Sequence, residues 1–406
     1  MTIDFSTYEN NPTDPHMILG LANSLAAYYL YETSLTILEA ILRLDNVDPD
    51  LIATVKDRIC TASHQSKDTS RRARARMMSD EISLDRLISE DYRARARENN
   101  ILYATPLSDM MSSTSIKKFF FDAPTDYYPC NTSVHRYNGR LWMSQRRVNY
   151  DIFNGMATVD GEQFCTRNWI LELNEDLSVR TSGELLRPEG MPGPLYLGAS
   201  GFEDLRLFSR NGDLWTSFST WDLNHENRMQ MAMGKIVPMD DGYTLADWKV
   251  LEPTYFPLHG YQKNWMPVVE DDRLRFVYAS DPVRVLDENA NTVILNETSI
   301  VAEQFRGGTQ LIQLDSGWLA LVHEMHPTTH KAGRYYLHRF VWYDRYLRLS
   351  KITLPFFFRE LSVEFASGME YLDGNQSVVI SFGVDDQHSY MATVDIDDIR
   401  AALRNV

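Results

Sequence analysis

The sequence predicts a mainly β chain, a five-bladed β-propeller preceded by an α-helical segment, and three observations predict it. The texture changes near residue 100, from helical periodicity to short aromatic and β-branched runs separated by Gly and Asp turns. After that change, five segments repeat one layout: a turn, a strand of roughly six to eight residues, then a polar cluster. The five recur at intervals of roughly 45 to 75 residues, the span a four-stranded blade with its loops needs. An irregular β-sandwich is the competing architecture. A parallel α/β sheet is disfavoured, because no long helical patterns separate the strands.

Residues 1–100 read as a helical appendage. From His16 to Leu44 the apolar residues Ile18, Leu19, Leu21, Ala22, Leu25, Ala26 and Tyr29 recur at three- and four-residue steps, after the helix-starting pair Asp14-Pro15. A second helix is predicted from Asp48-Pro49-Asp50 through Ile59, and a third over Asp80 to Glu98. The basic stretch from Ser66 to Arg76 reads as a solvated linker or helix end. One helical pair does not make a solenoid, so the segment is expected to pack on the rest of the chain or to build a homo-oligomer.

Residues 101–406 carry the repeats. Their turn-plus-strand units start at Asn138-Gly139, Asn211-Gly212, Asp271-Asp272, Ser316-Gly317 and Asp373-Gly374. At 406 residues the whole chain is long enough for one large domain or two. Aromatic residues make up 12% of it, a richness that suits sheet packing and stacking on sugar rings. The net charge of −16 argues against a nucleic-acid partner, which needs an excess of Lys and Arg. Three cysteines, Cys60, Cys130 and Cys165, are scattered and far from any CxxC spacing, which points to a reducing compartment and offers no zinc site. The polar start of the sequence is unlike a signal peptide, and no apolar run reaches the ~18 residues that span a bilayer. The expectation is a soluble, cytoplasmic protein.

In a propeller the innermost strands run side by side, so their polar clusters converge. The first blade offers Asn131-Thr132-Ser133, then Arg146, Arg147 and Tyr150. The second offers Glu203, Asp204 and Arg206, with Trp221 and Asp222 on its next strand. The third offers Lys263, Asn264 and Trp265, then Ser280-Asp281, and here Trp265 reads as core. The fourth offers Arg306-Gly307-Gly308-Thr309-Gln310, then His323, Glu324 and His326. The fifth offers Glu364 to Gly368, then Ser381, Asp385 and Asp386. Strand alternation puts Glu203 on one side and Asp204 with Arg206 on the other. A guanidinium two residues away can orient the Asp204 carboxylate or hold it ionised. The Gly307-Gly308 pair behind Arg306 could cradle an anion through its backbone N–H groups. No metal is expected, since His323 and His326 face opposite sides of a strand and no third ligand is near. Carboxylates for proton transfer, cations for an anion and aromatics for a sugar face together suit glycosyl transfer.

Gly201-Phe202-Glu203-Asp204-Leu205-Arg206 resembles the Gly-x-Glu-Asp-Pro-Arg signature of the β-mannoside phosphorylases and related β-1,2-mannosidases. The resemblance spans residues 115 to 400 and is concentrated in short motifs. It implies a five-bladed propeller, an inverting reaction on a β-mannoside-type substrate, and helices before the propeller that help build oligomers. It further implies Asp204 as general acid; beside it, Glu203 would push its pKa up and Arg206 would pull it down, which makes both part of the expected catalytic group. Lys263, Arg146 and His323 match the groups that bind phosphate in the phosphorylases. Leu205 stands where the family has proline, and the surroundings of Lys263, Arg306, Tyr336 and Ser381 depart from its pattern. Those segments look like a bacterial propeller group found near glycan-assembly enzymes.

Three functions are therefore expected to compete. The first is an inverting glycoside phosphorylase or hydrolase. The second is a nucleotide-sugar- or sugar-phosphate-dependent glycosyltransferase in bacterial glycan assembly. The third is a non-catalytic glycan-binding propeller. No cofactor is expected; inorganic phosphate or a nucleotide sugar would be a co-substrate. Asp204, or Glu324 or Asp281 if Arg206 holds Asp204 ionised, would donate the proton. Arg146, Arg147, Tyr150, Lys263, Asn264, Arg306, His323, Ser381 and Asp385 would hold the substrate and its anion.

Overall fold

The computed structural model describes residues 104–406 except 154–155, 160–162, 196–197, 226–227, 254–261, 303 and 328–333, together with Leu38, Ile41, Leu51, Val55 and Ile59. The chain divides into two compact units, Met1–Glu98 with Pro257–Gly260, and Asn99–Phe256 with Tyr261–Val406. In the first unit the five described positions are helical and buried. The rest of the helices expected over residues 14–98 lies outside the described residues.

The second unit is mainly β. Its long strands form five antiparallel meanders. The first runs through Tyr128–Tyr137, Arg140–Val148, Phe164–Leu173 and Val179–Leu185. The second is Glu203–Arg210, Asp213–Thr220, Gln230–Met239 and Gly242–Leu251. The third is Met266–Glu270, Arg273–Ser280, Val283–Asp287 and Thr292–Asn296. The fourth begins with a broken strand, Arg306–Gly307 and Ile312–Leu314, and continues through Gly317–Pro327, Arg334–Tyr343 and Leu349–Ile352. The fifth is Glu364–Leu372, Ser377–Val384 and His388–Asp395, and its fourth strand, Ser115–Lys118, comes from ahead of the first meander.

Each of the five turn-plus-strand units read from the sequence joins the first two strands of one meander. The turn chemistry explains why. Asn138-Gly139 and Asn211-Gly212 both have positive φ, 50° and 75° in one and 50° and 74° in the other. Such turns match the right-handed twist of the strands they connect, and Asn and Gly reach that region most cheaply.

The first strands of the meanders close a ring. Leu207 N–H donates to Ser133 Oγ at 3.0 Å, and Arg206 Nη2 to Asn264 Oδ1 at 3.2 Å. Leu311 N–H donates to Pro267 O at 2.9 Å, Gln310 Nε2 to Met369 O at 2.8 Å, and Ser367 Oγ to Thr132 O at 3.0 Å. Each meander is thus tied to the next, and the fifth to the first.

The apolar core is divided in the same way. Leu205, Leu207 and Phe218 of the second meander pack against Ile170 and Leu185 of the first. Trp265 and Phe276 of the third pack against Phe208, Trp215 and Met231 of the second. Val268 and Val285 meet Trp318 and Val322, Phe340 and Leu321 meet Phe382 and Ile380, and Val379 meets Val134 and Met143. Burial of each such side chain contributes roughly 1.5–3 kcal/mol, so the interfaces between meanders hold the ring closed. Trp265 is core as the sequence suggested, fully buried with its ring edge-on to Phe276 and Tyr278. No described helix is long and apolar enough to cross a membrane.

Candidate active site

The polar residues gather where the first strands begin. Gly201 opens the motif at φ 101°, and a Cβ there would lie 2.1 Å from the Thr166 carbonyl oxygen, so only glycine fits. Its N–H donates to Asp222 Oδ2 at 2.8 Å, and Asp222 is fully buried in an ion pair with Arg187. Asp222 therefore holds the entry to the motif.

Two residues later the strand is bulged. The pairing of Glu203–Arg210 with Asp213–Thr220 shifts register between Glu203 and Arg206, and Asp204 sits at φ 53°. A bulge breaks the alternation of side chains. Glu203 and Asp204 consequently do not face opposite sides as alternation predicts. Both reach Arg146, whose Nη1 donates to Asp204 Oδ1 at 2.8 Å and whose Nη2 lies 3.4 Å from Glu203 Oε2. Asn131 Nδ2 also donates to Asp204 Oδ1, at 2.8 Å. On the other side, Arg146 Nη2 donates to Tyr150 Oη at 3.0 Å, and Tyr150 O–H to Asp386 Oδ2 at 3.3 Å. One buried guanidinium thus joins three carboxyl groups.

Their environments split the three. Burial pushes the Asp204 carboxyl up, but Arg146, the Asn131 amide, Arg206 and Lys263 outweigh it and hold Asp204 below its ordinary value. Burial wins at Glu203, which is pushed up despite Arg146, with the Asp204 charge adding to the rise. Burial wins again at Asp386, also against Arg146. Arg146 is itself held firmly charged: its burial cost is more than offset by Tyr150, Glu203 and Asp204.

Arg206 does not touch the Asp204 carboxylate. It is fully buried and donates to backbone: Nε to Gly308 O at 2.6 Å, and Nη1 to the carbonyl of Asp204 at 3.1 Å. Its Nη2 reaches Asn264 Oδ1. Burial pulls the guanidinium down to about 10, which leaves it charged at neutral pH. It fixes the bulged backbone and the strand ends of three meanders, a structural post in place of the expected acid–base partner. Asn264 is engaged by it.

The remaining sequence candidates divide. Lys263 and Arg306 are exposed; Arg306 pairs with His323 across neighbouring strands, and both cations lower the His323 imidazole. His323 is not a third cation. Burial, with His338, Lys263, Arg206 and Arg306 around it, pushes the imidazole well below its usual range, and its ring lies tilted against Tyr336 and edge-on to Phe365. Gly307 and Gly308 do not cradle an anion. The Gly308 N–H donates to Leu321 O, and a Cβ on either residue would strike backbone, 2.0 Å from Asn264 O or 2.5 Å from Leu321 O. These glycines serve close packing.

Arg147 points away from Arg146, as alternation on a strand requires, and donates to Tyr127 O, Phe121 O and Gln145 Oε1. Ser381 donates to Thr132 O at 2.6 Å. Glu324 is buried against Arg339 at 2.6 Å. Asp281 accepts from Thr298 Oγ1 and Ala302 N–H, and Asp385 from Val363 N–H. Each of these groups already holds a loop or strand, so none is poised to donate a proton at the Arg146 cluster. Sequence reasoning placed Asn131 and Asp386 in their clusters without a role. Tyr336 was missed as a wall of the site; it lies diagonally across the hairpin from His323, two residues from the directly paired His338, and that spacing is the signal that could have found it. Among the described residues, no three His, Cys, Asp or Glu side chains are grouped to hold a metal.

No protein-family model and no curated protein matches the chain. Solved structures do. A mannose phosphorylase from Leishmania mexicana in complex with phosphate has 12% identity and a TM-score of 0.49, covering 78% of this chain and 97% of its own. A β-1,2-mannobiose phosphorylase from Listeria innocua has 12% identity and a TM-score of 0.48, covering 73% and 97%. A GDP-mannose-dependent mannosyltransferase from Leishmania mexicana has 11% identity and a TM-score of 0.42, covering 69% and 90%.

Proposed function

We propose that the five meanders are the blades of a five-bladed propeller, and that the end carrying Arg146 is the active site of an inverting carbohydrate-active enzyme. The preferred activity is that of a glycoside phosphorylase or hydrolase on a β-mannoside-type substrate. The observation that carries this reading is the split among three carboxyl groups around one guanidinium. Carboxyl groups whose surroundings drive their pKa values apart are the pattern of acid–base pairs at glycosyl centres.

In this reading Asp204 stays ionised in the unliganded protein, and Glu203 carries the proton delivered to the leaving oxygen. Asp386 and Tyr150 fix the far side of Arg146. The attacking group is a water activated by Asp204, or a phosphate drawn to Lys263 and Arg306. The sequence reading made Asp204 the acid; the Arg146 and Asn131 contacts favour the exchange of roles. The β-mannoside assignment leans on the motif at Gly201–Arg206.

A second reading, transfer from a nucleotide sugar, is favoured by the same two exposed cations, which suit a diphosphate equally well. The test is turnover of β-mannosides alone, with inorganic phosphate, and against a nucleotide sugar plus acceptor. Turnover without nucleotide sugar that disappears in Glu203→Gln supports the first reading. Turnover only with a nucleotide sugar supports the second. No turnover at all leaves a binding module.

A further inference from the structure

The first strands of the five meanders have a second set of ends. The Arg146 cluster occupies their beginnings, whereas their C-terminal halves line a cavity of about 600 Å³. His135, Ser209, Val269, Gln313 and Glu370 reach it, one from each meander. That volume falls within the range of small-molecule sites, roughly 300–1,000 Å³.

The chemistry of its wall is specific. His135 Nδ1 lies 2.9 Å from Glu370 Oε2, and its Nε2 lies 2.7 Å from Ser209 Oγ. The Glu370 carboxylate is fixed by the Arg136 and Tyr371 N–H groups at 2.9 and 2.8 Å. His135 Nε2 and Ser209 Oγ share one hydrogen bond in either tautomer, and the hydroxyl keeps at least one lone pair for a ligand donor. The side-chain amides of Gln313 and Asn375 also line the cavity and make no hydrogen bond among the described residues; each offers donor and acceptor together. Val269 and Tyr371, both half-buried, supply apolar surface. The one arginine at the wall, Arg400, is held by Asp315 and Asp397 at 2.8 Å each, so no free guanidinium draws an anion.

We propose that this cavity is a second binding site, for a neutral, hydroxyl-rich ligand of one or two sugar rings. Hydroxyls meet Ser209, Gln313 and Asn375, while C–H groups meet the half-buried Val269 and Tyr371. The site is independent of the reaction proposed for the opposite ends of the strands, and it stands whether or not that reaction occurs.

The test uses the full chain with D-mannose and D-glucose as probes, followed by calorimetric titration and by crystals soaked in each sugar. The crystals show which end each sugar occupies, so binding at the Arg146 end is distinguished by position. Sugar density against Gln313 and Asn375 is expected. Ser209→Ala and Gln313→Ala together should weaken binding about tenfold, from two lost hydrogen bonds. Gln313 is exposed, so Gln313→Ala alone leaves the fold intact and still should lower affinity severalfold. An empty cavity at saturating mannose and glucose, or affinity unchanged by Gln313→Ala, would overturn the proposal.

Discussion

Arg146 Nη1 donates to Asp204 Oδ1 at 2.8 Å while Nη2 lies 3.4 Å from Glu203 Oε2, so two successive carboxyl groups share one guanidinium. Successive residues of a regular strand cannot do this. The left-handed backbone at Asp204 makes it possible, and Arg206 holds that backbone by its carbonyl.

The first prediction concerns proton bookkeeping. The group that must be ionised sets the acid limb of a pH–rate profile, and the group that must be protonated sets the alkaline limb. Asp204→Asn should lower turnover by about 10²–10⁴ and flatten the acid limb. Glu203→Gln should lower it similarly and flatten the alkaline limb. Profiles with the two limbs exchanged would return the acid role to Asp204.

Removing the guanidinium should cost both stability and function. Arg146 is 4% and Asp204 13% exposed, so Arg146→Met strands buried carboxylates, at a cost of about 3–5 kcal/mol measured by denaturant unfolding. The sign with pH follows from Asp204. Its folded pKa lies below the unfolded value of ~3.9, so the pair contributes stability above that value and loses it as pH falls through the folded one. The difference between wild type and Arg146→Met should therefore shrink in acid. A difference independent of pH would mean that the pair is not ionic.

How legible this was depended on the length scale of each signal. Turn pairs such as Asn138-Gly139 and Asn211-Gly212 are local, and they gave the hairpins of every meander directly. Trp265 was read as core for the same reason, since an aromatic ahead of an apolar strand needs no distant partner. The carboxylate cluster depended on a bulge, and alternation, the only rule available for a strand, put Glu203 and Asp204 apart. Arg146 and Arg147 are neighbours of the same type, and which one faces the site is set by register with Phe164–Leu173, not by composition. His323 looked like a cation until its burial beside His338, Lys263, Arg206 and Arg306 was visible.

Lys263 is exposed, and its effect should be electrostatic. Lys263→Ala should weaken binding of phosphate or of an anionic co-substrate about three- to tenfold at low salt, with a smaller effect at high salt, as screening dictates. Binding assayed across ionic strength checks it. An effect that does not vary with salt would assign Lys263 to packing.

Gly308→Ala tests the post that Arg206 builds. The added Cβ would lie 2.5 Å from Leu321 O and 3.0 Å from Ala366 O, both backbone atoms that cannot step aside. Loss of several degrees in Tm is expected, together with reduced turnover, because Arg206 loses its seat against the Gly308 carbonyl. An unchanged Tm would show that the ring is looser there than these contacts imply.

The central claim is glycosyl transfer with inversion at the Arg146 end. Proton NMR of a β-mannoside incubated with the protein, with and without phosphate, reads the anomeric configuration of the first product before mutarotation. The prediction is α-mannose or α-mannose 1-phosphate, formed by wild type and not by Glu203→Gln. A β-configured first product, or equal turnover by Glu203→Gln, would contradict it.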